Sequence, residues 1–226
     1  MLFADYRENS DDVKSKSKDK ELLTRNALRI TNYIFLGGVM SQNIIAEEKI
    51  FNELKKAVVE TLRVDANKIN PETALIKDLG AESLDFLDIN YRLEQAFGIK
   101  MARHFVLEHI EEMFGEGTAI DENGQLTDKA VETLKIRFGD GVSALKPGMD
   151  MDEVPALVTA QSMVKGVMDI LDSLSEKCSK CGSSNWKSND TVRITCGSCG
   201  EPATFTNGDE LIKEWLTKVQ EEKKIF

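Results

Sequence analysis

The segment Asp78–Asp85, with the sequence DLGAESLD, constrains the fold of this chain most strongly, because it places one serine between a glycine turn and a helix start. Free backbone N–H groups and the positive end of the helix dipole lie near a serine in that position, and they favour a covalently attached phosphate. Serine is also a common N-cap residue. The segment therefore predicts either a phosphate-bearing site at Ser83 or an ordinary helix cap.

Amphipathic helices are predicted on both sides of this segment. From 44 to 63, apolar residues recur at intervals of three and four and predict a first helix. Asn70-Pro71 ends it, and a loop continues to Gly80. The second helix starts near Ser83 and ends at Gly98. Its predicted apolar contacts are Leu84, Leu87, Tyr91, Leu93 and Phe97.

The order of these elements, closed by the exit Phe97-Gly98-Ile99-Lys100, resembles that of acyl carrier proteins over about residues 44–101. The run 83–89 (SLDFLDI) is most similar to specialised carriers of very-long-chain acyl groups for lipid A. The resemblance implies a helical bundle in which a separate phosphopantetheinyl transferase attaches 4′-phosphopantetheine to Ser83. The thiol of that flexible arm would hold an acyl group as a thioester, so the chain would be a substrate carrier and not an enzyme.

The resemblance also implies that the second helix docks partner enzymes. Its carboxylates would bind basic patches on the transferase, on acyltransferases and on fatty-acid synthesis enzymes, and electrostatic attraction would speed the encounter. Exposed apolar side chains would add contacts. The alternatives are a solvated acidic face and apolar residues that belong to the core. The predicted partner-binding residues are Glu82, Leu84, Asp85, Leu87, Asp88, Tyr91 and Glu94.

The chain departs from the usual carrier pattern after Ser83. Asn90 and Arg92 occupy positions that are usually small or apolar, and Ala102 replaces a usual proline. The third-helix region, 105–117, is longer than normal, and a further helix is predicted over about 127–138. An enlarged pocket for a long acyl chain fits these departures, and so does an insertion without function.

All four cysteines fall in two C-x-x-C pairs, Cys178/Cys181 and Cys196/Cys199, with 14 residues between the pairs. This is the spacing of a four-thiolate zinc site, which leaves no coordination position for substrate and is therefore structural. A glycine follows each pair, and 191–195 alternates like a strand. The segment predicts a zinc ribbon. Two disulfides or a redox pair are the alternatives, and the lack of a secretion signal favours metal.

Net charge differs between the carrier-like segment and the predicted zinc ribbon, and it indicates a different kind of partner for each. Segment 176–226 has eight basic and eight acidic residues, which argues against nucleic-acid binding and favours a scaffold or docking role for the ribbon. The formal net charge of the whole chain is −10, and because residues 1–39 carry +1, segment 40–175 carries −11, which favours basic protein partners. The two histidines, His104 and His109, match no metal or catalytic-triad motif and are predicted to be surface or helix residues.

The 226 residues are predicted to form a mainly α fold, an acyl-carrier-like bundle followed by a connecting helix and a small β zinc ribbon. No apolar run of membrane-spanning length or signal peptide is evident, so we expect no membrane insertion and a cytoplasmic location. Gly37-Gly38 before Met40 can be encoded by a ribosome-binding sequence, which makes Met40 a candidate start. The predicted divisions are a disordered extension (1–39), the carrier domain (40–148), the connecting helix (149–175) and the ribbon with a C-terminal amphipathic helix (176–226).

The leading hypothesis is an acyl carrier protein that delivers acyl thioesters to lipid or fatty-acid biosynthetic enzymes. An aminoacyl or polyketide carrier is an alternative with the same chemistry. A zinc-ribbon adaptor, or a nucleic-acid-associated protein with an unmodified carrier-like domain, is an alternative of a different class. No motif brings together a nucleophile, a base and an orienting group, so the sequence offers no support for an enzyme.

Overall fold

The computed structural model of the protein describes residues 44–138, 144–188 and 191–226. The predicted disordered extension and the candidate start at Met40 lie outside these ranges. The helices of the described part are α1 (Glu47–Leu62), α2 (Leu75–Leu79), α3 (Ser83–Phe97), α4 (Val106–Phe114), α5 (Asp128–Phe138), α6 (Ala160–Leu171) and α7 (Gly208–Lys223). Short 3-10 segments cover Ala66–Lys68 and Met151–Leu157, and the strands are β1 (Trp186–Ser188) and β2 (Ile194–Cys196).

The first core lies between α1, α3 and α6. Helix α1 packs against both of the others, because each helix turns one stripe of aliphatic residues inward. Fully burying an aliphatic side chain of this kind contributes about 1.5–3 kcal/mol, so the three stripes hold the bundle together. The buried residues of these stripes are Ile50, Leu54, Val58, Ile89, Leu93, Phe97, Val164, Val167 and Leu171.

A second core is formed by the segment between α3 and α6, together with α7. Helices α4 and α5 contribute Ile110 and Leu134, and α7 contributes Leu216, all three fully buried. The chain thus leaves the first core after α3, builds a second one, and returns to the first with α6. The domain boundaries remain predictions. Helix α6 lies within the segment predicted as the connecting helix, and it packs on α1 in the first core.

The single helix expected over 149–175 is observed as two pieces. A 3-10 segment contains Pro155, and α6 starts only at Ala160. The break occurs because Thr159 caps α6 through a reciprocal pair of hydrogen bonds with Ser162. The backbone before α6 also pairs with the start of α2, where the Leu75 N–H donates to the Val158 carbonyl at 3.1 Å.

A short helix, α2, lies within the region predicted as a loop. The Asp78 carboxylate accepts a hydrogen bond of 2.8 Å from the Ala74 N–H, which stabilises the start of this helix. Gly80 ends it in the left-handed conformation, with φ of +73°. The loop is therefore folded back so that the next helix starts at Ser83.

The two strands form a small antiparallel sheet in which Trp186 is opposite Cys196. The sheet and the four cysteines lie in residues 178–188 and 191–203, the four-cysteine module. Ile194 and Ala203 of this module are buried in the first core, and Trp186 packs against that core. A mainly helical fold with a small antiparallel sheet near the clustered cysteines confirms the predicted fold class. Within the described residues, no helix combines the length and the apolar character needed to cross a membrane.

Candidate functional site

Ser83 is the first residue of α3, and its side chain is exposed. Glu82 occupies the N-cap position, and its N–H donates to the Asp85 carboxylate at 2.8 Å. Asp85 therefore satisfies the backbone at the helix start, and the Ser83 hydroxyl is not used as the cap. The arrangement leaves a solvent-facing hydroxyl beside the positive end of a 15-residue helix.

The apolar surface next to Ser83 is formed by Leu84, Leu87 and Tyr91, which are 75%, 50% and 57% exposed. The buried face of α3 is formed instead by Ile89, Leu93 and Phe97, so the core interpretation of the first three residues is wrong. Large apolar side chains exposed together on one helix are typical of a surface that contacts a partner.

The predicted docking carboxylates are not equivalent. Glu82 is exposed, and Asp85 is half-buried and serves the capping interaction. Asp88 accepts hydrogen bonds from the Thr61 hydroxyl at 2.6 Å and from Arg92 at 2.9 Å. The Thr61 hydrogen bond, and then the Arg92 guanidinium, hold the pKa of Asp88 below its ordinary value.

Arg92, one of the departures from the carrier pattern, also contacts the carboxylate of Glu60 on α1. It therefore joins α3 to α1 across the surface of the bundle. Another departure, Asn90, is half-buried, and its Oδ1 atom has no hydrogen-bond partner among the described residues. An enlarged acyl pocket stays a prediction.

Glu94 is placed differently from the other predicted partner-binding residues, because it is only 3% exposed. Its carboxylate accepts hydrogen bonds from the Met101 N–H at 3.0 Å and from the Arg103 guanidinium at 2.9 and 3.1 Å. Glu94 thus fixes the chain where it leaves α3, and it does not present its charge to a partner.

Residues 52–111, which include α3 and Ser83, match the family described as "Phosphopantetheine attachment site". Over 52 residues the chain is 38% identical to an acyl carrier protein of Helicobacter pylori strain G27, covering 23% of this chain and 67% of that protein. The chain belongs to the acyl carrier protein family. This confirms the resemblance drawn from the sequence around Ser83.

Two other relatives of this carrier are named acyl carrier protein AcpXL. The one from Brucella melitensis is 45% identical over 51 residues, and the one from Mesorhizobium japonicum is 43% identical over 51 residues. Each match covers 23% of this chain and 55% of the relative, so the chain spans about half the length of these relatives. No solved structure matches the carrier chain significantly.

The carrier also brings its four cysteines into one cluster, in which all four Sγ atoms lie within 4.8 Å of one another. The Sγ atoms of Cys178 and Cys199 are 3.7 Å apart, and those of Cys181 and Cys196 are 3.6 Å apart. Zinc–sulfur bonds of about 2.3 Å in a tetrahedron place the sulfurs about 3.8 Å apart. A disulfide requires about 2.05 Å. The cluster has the dimensions of a site that could hold a metal ion.

The two cysteine turns have the same backbone geometry. Gly182 and Gly200 adopt φ of +71° and +75°, and their N–H groups each donate at 2.8 Å to the carbonyl of the first cysteine in the pair. Burial alone would raise the pKa of the Cys196 thiol, but hydrogen bonds from the backbone at Cys199 and Ser198 lower it to about 6. These N–H donors favour a thiolate at Cys196, the form that binds metal. At Cys199 a backbone hydrogen bond from Glu201 lowers the pKa, but burial and the neighbouring cysteines raise it to about 12.

Sequence reasoning missed a second cluster of possible metal ligands, formed by His104, His109 and Asp209. His104 and His109 flank the start of α4, as expected for surface or helix residues, but Asp209 comes from the first turn of α7. No local spacing connects residues 100 positions apart. The only signal in the sequence is that both histidines of the chain lie within six residues.

Proposed function

We propose that this protein carries acyl groups as thioesters on a 4′-phosphopantetheine arm attached to Ser83 and delivers them to lipid or fatty-acid biosynthetic enzymes. The observation that carries the proposal is the exposed Ser83 at the start of α3, inside the region that matches the phosphopantetheine attachment family. The serine is not committed to capping, so its oxygen can form a phosphodiester without loss of a helix cap.

The surroundings of Ser83 fit a phosphodiester. The N-terminal N–H groups of α3 and the helix dipole stabilise negative charge at this position. Gly80 has open space on the side where a Cβ would be, which leaves room around the turn. The arm supplies a terminal thiol for the thioester, while α1, α3 and α6 keep the attachment point rigid.

The proposed docking surface consists of the exposed apolar residues of α3 and the carboxylates beside them. Apolar side chains at the centre of an interface provide affinity, and surrounding charges speed association. We propose that a phosphopantetheinyl transferase, acyltransferases and fatty-acid synthesis enzymes bind here through basic patches. The surface excludes the buried Glu94 and comprises Glu82, Leu84, Asp85, Leu87, Asp88 and Tyr91.

The four-cysteine cluster is proposed to bind one structural Zn²⁺. Four thiolates complete a tetrahedral site and leave no position for substrate. The ion would hold the cysteine turns together, and through Ile194 it would support the first core. The proposed cargo, a very long acyl chain, rests on the resemblance of the segment that follows Ser83.

The test is intact mass after incubation of the full chain with a broad-specificity phosphopantetheinyl transferase and coenzyme A. We expect one phosphopantetheine increment on the wild type and none on Ser83→Ala. Ser184→Ala, at an exposed serine of the four-cysteine module, is the matched control and keeps the increment. Failure of the wild type to gain the increment with both cognate and broad-specificity enzymes would contradict the carrier function and favour an unmodified adaptor.

A further inference from the structure

The cluster of His104, His109 and Asp209 lies where the start of α4 meets the start of α7. The Asp209 Oδ1 atom is 3.0 Å from the His109 Nε2 atom and 3.5 Å from the His104 Nδ1 atom. The three possible ligand atoms all lie within 4.8 Å of one another. Both histidines of the chain are in this one place.

These separations suit a transition-metal ion. Zinc bonds of about 2.0–2.2 Å to imidazole nitrogen and carboxylate oxygen place tetrahedral ligands about 3.3–3.5 Å apart. The two distances to Asp209 Oδ1 lie close to that range. Two imidazoles and one carboxylate suit zinc and its neighbours in the periodic table, whereas magnesium and calcium prefer oxygen ligands alone.

Glu112 gives the cluster an outer partner. One of its carboxylate oxygens is 3.5 Å from the Nδ1 atom of His109, and the other accepts a 2.7 Å hydrogen bond from Lys213. A histidine that binds metal through one ring nitrogen commonly offers the N–H of the other to a carboxylate. Glu112 and His109 are positioned for this relationship.

The same geometry is unfavourable for a neutral His109 without metal. Its side chain is only 3% exposed, and its Nδ1 atom has no hydrogen-bond partner among the described residues. If Nε2 carries the proton and donates to Asp209, a bare Nδ1 lone pair faces the Glu112 carboxylate. A metal ion on Nε2 would leave the ring proton on Nδ1, 3.5 Å from a Glu112 carboxylate oxygen, and so would remove the conflict.

The charges around the cluster also leave room for a cation. Arg103 and Lys100 form ion pairs with Glu94, and Lys213 forms one with Glu112. Within the described ranges, the ion-pair partners of Asp209 are the two imidazoles, and its carboxylate also accepts hydrogen bonds of 3.0–3.1 Å from the backbone N–H groups of Arg103 and His104. No lysine or arginine of that part of the chain therefore neutralises the Asp209 carboxylate.

We propose that His104, His109 and Asp209 bind one divalent transition-metal ion of the zinc class, in addition to any ion held by the four cysteines. Three protein ligands leave one tetrahedral position open, as in sites that keep a water or a small ligand. A cavity of about 600 Å³ adjoins the cluster, with Lys100, Glu112 and Lys213 in its lining. The ion would join α4 to α7, and its open position would take water or a small anionic ligand.

The first test counts zinc on the full chain by native mass spectrometry, after dialysis against a slight excess of Zn²⁺ and removal of loose metal. We expect two ions on the wild type and one on His104→Gln, a variant that should fold because the His104 side chain is 58% exposed. Asp209→Asn should weaken binding of the second ion at least tenfold. Glu214→Gln makes the same charge change at an exposed position of the same helix, outside the lining of the cavity, and should keep both ions.

A second test observes the ligands directly. Because the chain has two histidines, a ¹⁵N imidazole spectrum contains signals from these rings alone. Zinc should shift the His104 Nδ1 and His109 Nε2 signals and leave His109 Nδ1 protonated. The proposal fails if the rings titrate with pH and ignore zinc, since the cluster is then a histidine–carboxylate network only. It also fails if His104→Gln binds as many ions as the wild type.

Discussion

The guanidinium of Arg193 donates a 2.6 Å hydrogen bond to the backbone carbonyl of Gln95, and so connects the four-cysteine module to the last turn of α3. The next residue, Ile194, is buried in the first core. Gln95 is 12 residues from Ser83, or about 18 Å along the helix. The module therefore supports α3 at the end opposite the proposed attachment site and leaves that site accessible.

Replacement of Arg193 by alanine should weaken this connection without unfolding the carrier bundle. The hydrogen bond is exposed, so we expect a loss of about 0.5–1.5 kcal/mol in the free energy of unfolding, measured with urea. Amide hydrogen exchange should rise in the last turn of α3 and stay unchanged near Ser83. Ile194→Ala, which removes buried contacts beside it, should cost about 2–5 kcal/mol. If Arg193→Ala lowered the free energy of unfolding as much as Ile194→Ala does, the hydrogen bond from Arg193 to Gln95 would not be the minor, exposed contact that this prediction assumes.

Removal of the proposed zinc ion should loosen the four-cysteine module and, through it, the first core. Trp186 reports this, because it packs against that core and its Nε1–H donates to the Ser175 carbonyl at 2.9 Å. In a Trp215→Phe background, a strong chelator should shift Trp186 emission to the red and lower the urea midpoint.

Cys196→Ser should produce the same emission shift without chelator, because it removes a buried ligand. His104→Gln keeps all four thiols, so it should show the unshifted emission until chelator is added. An unchanged emission maximum after the metal has been removed would contradict a structural role for the ion. Since thiolates must be deprotonated to bind, the chelator concentration required should fall as the pH is lowered.

The local parts of this structure could be predicted from the sequence, and the long-range parts could not. The cysteine turns need only four residues and a glycine, and the start of α3 needs Gly80 and a capping carboxylate. Each depends on neighbours in the chain. The exposed Leu84 has the same helical spacing as a core residue, so periodicity could not separate the two.

Contacts between residues that are far apart in the sequence leave no comparable local pattern from which they could be predicted. Glu94 is buried because Arg103 and the Met101 N–H satisfy its carboxylate, and its sequence context resembles that of the less buried acids Asp85 and Asp88 before it. Helix α6 returns to the first core only because the segment between α3 and α6 folds into the second core and so brings the ends of that segment together. The approach of Asp209 to His109 depends in the same way on how α7 packs against α4.

Leu84 and Leu87 should matter for partner binding and not for stability. Because they are 75% and 50% exposed, their replacement by alanine should change the free energy of unfolding by less than about 0.5 kcal/mol. Each should weaken binding to the phosphopantetheinyl transferase about 5- to 30-fold, the range of a central apolar contact.

The matched control for this pair is Ile89→Ala on the buried face of the same helix. It should lower stability by about 2–5 kcal/mol and leave the affinity of the folded fraction unchanged. Calorimetric titration with the transferase, together with urea unfolding, separates the two effects. A stability loss at Leu84 as large as that at Ile89 would contradict the exposed surface described for α3.

Asp88 should make stability depend on pH in the acid range. Its pKa is lowered in the folded protein by the Thr61 hydrogen bond and then by Arg92, so its stabilising contribution is present above the unfolded pKa of about 3.9. That contribution is lost as pH falls through the lower folded value. Asp88→Asn should therefore be less stable than the wild type at pH 7, with a difference that narrows toward pH 3. High salt should reduce the difference because the Asp88 side chain is 43% exposed to solvent. Glu72→Gln, at an exposed loop position, should not show this pattern, and a difference that widened in acid would contradict the sign of the effect.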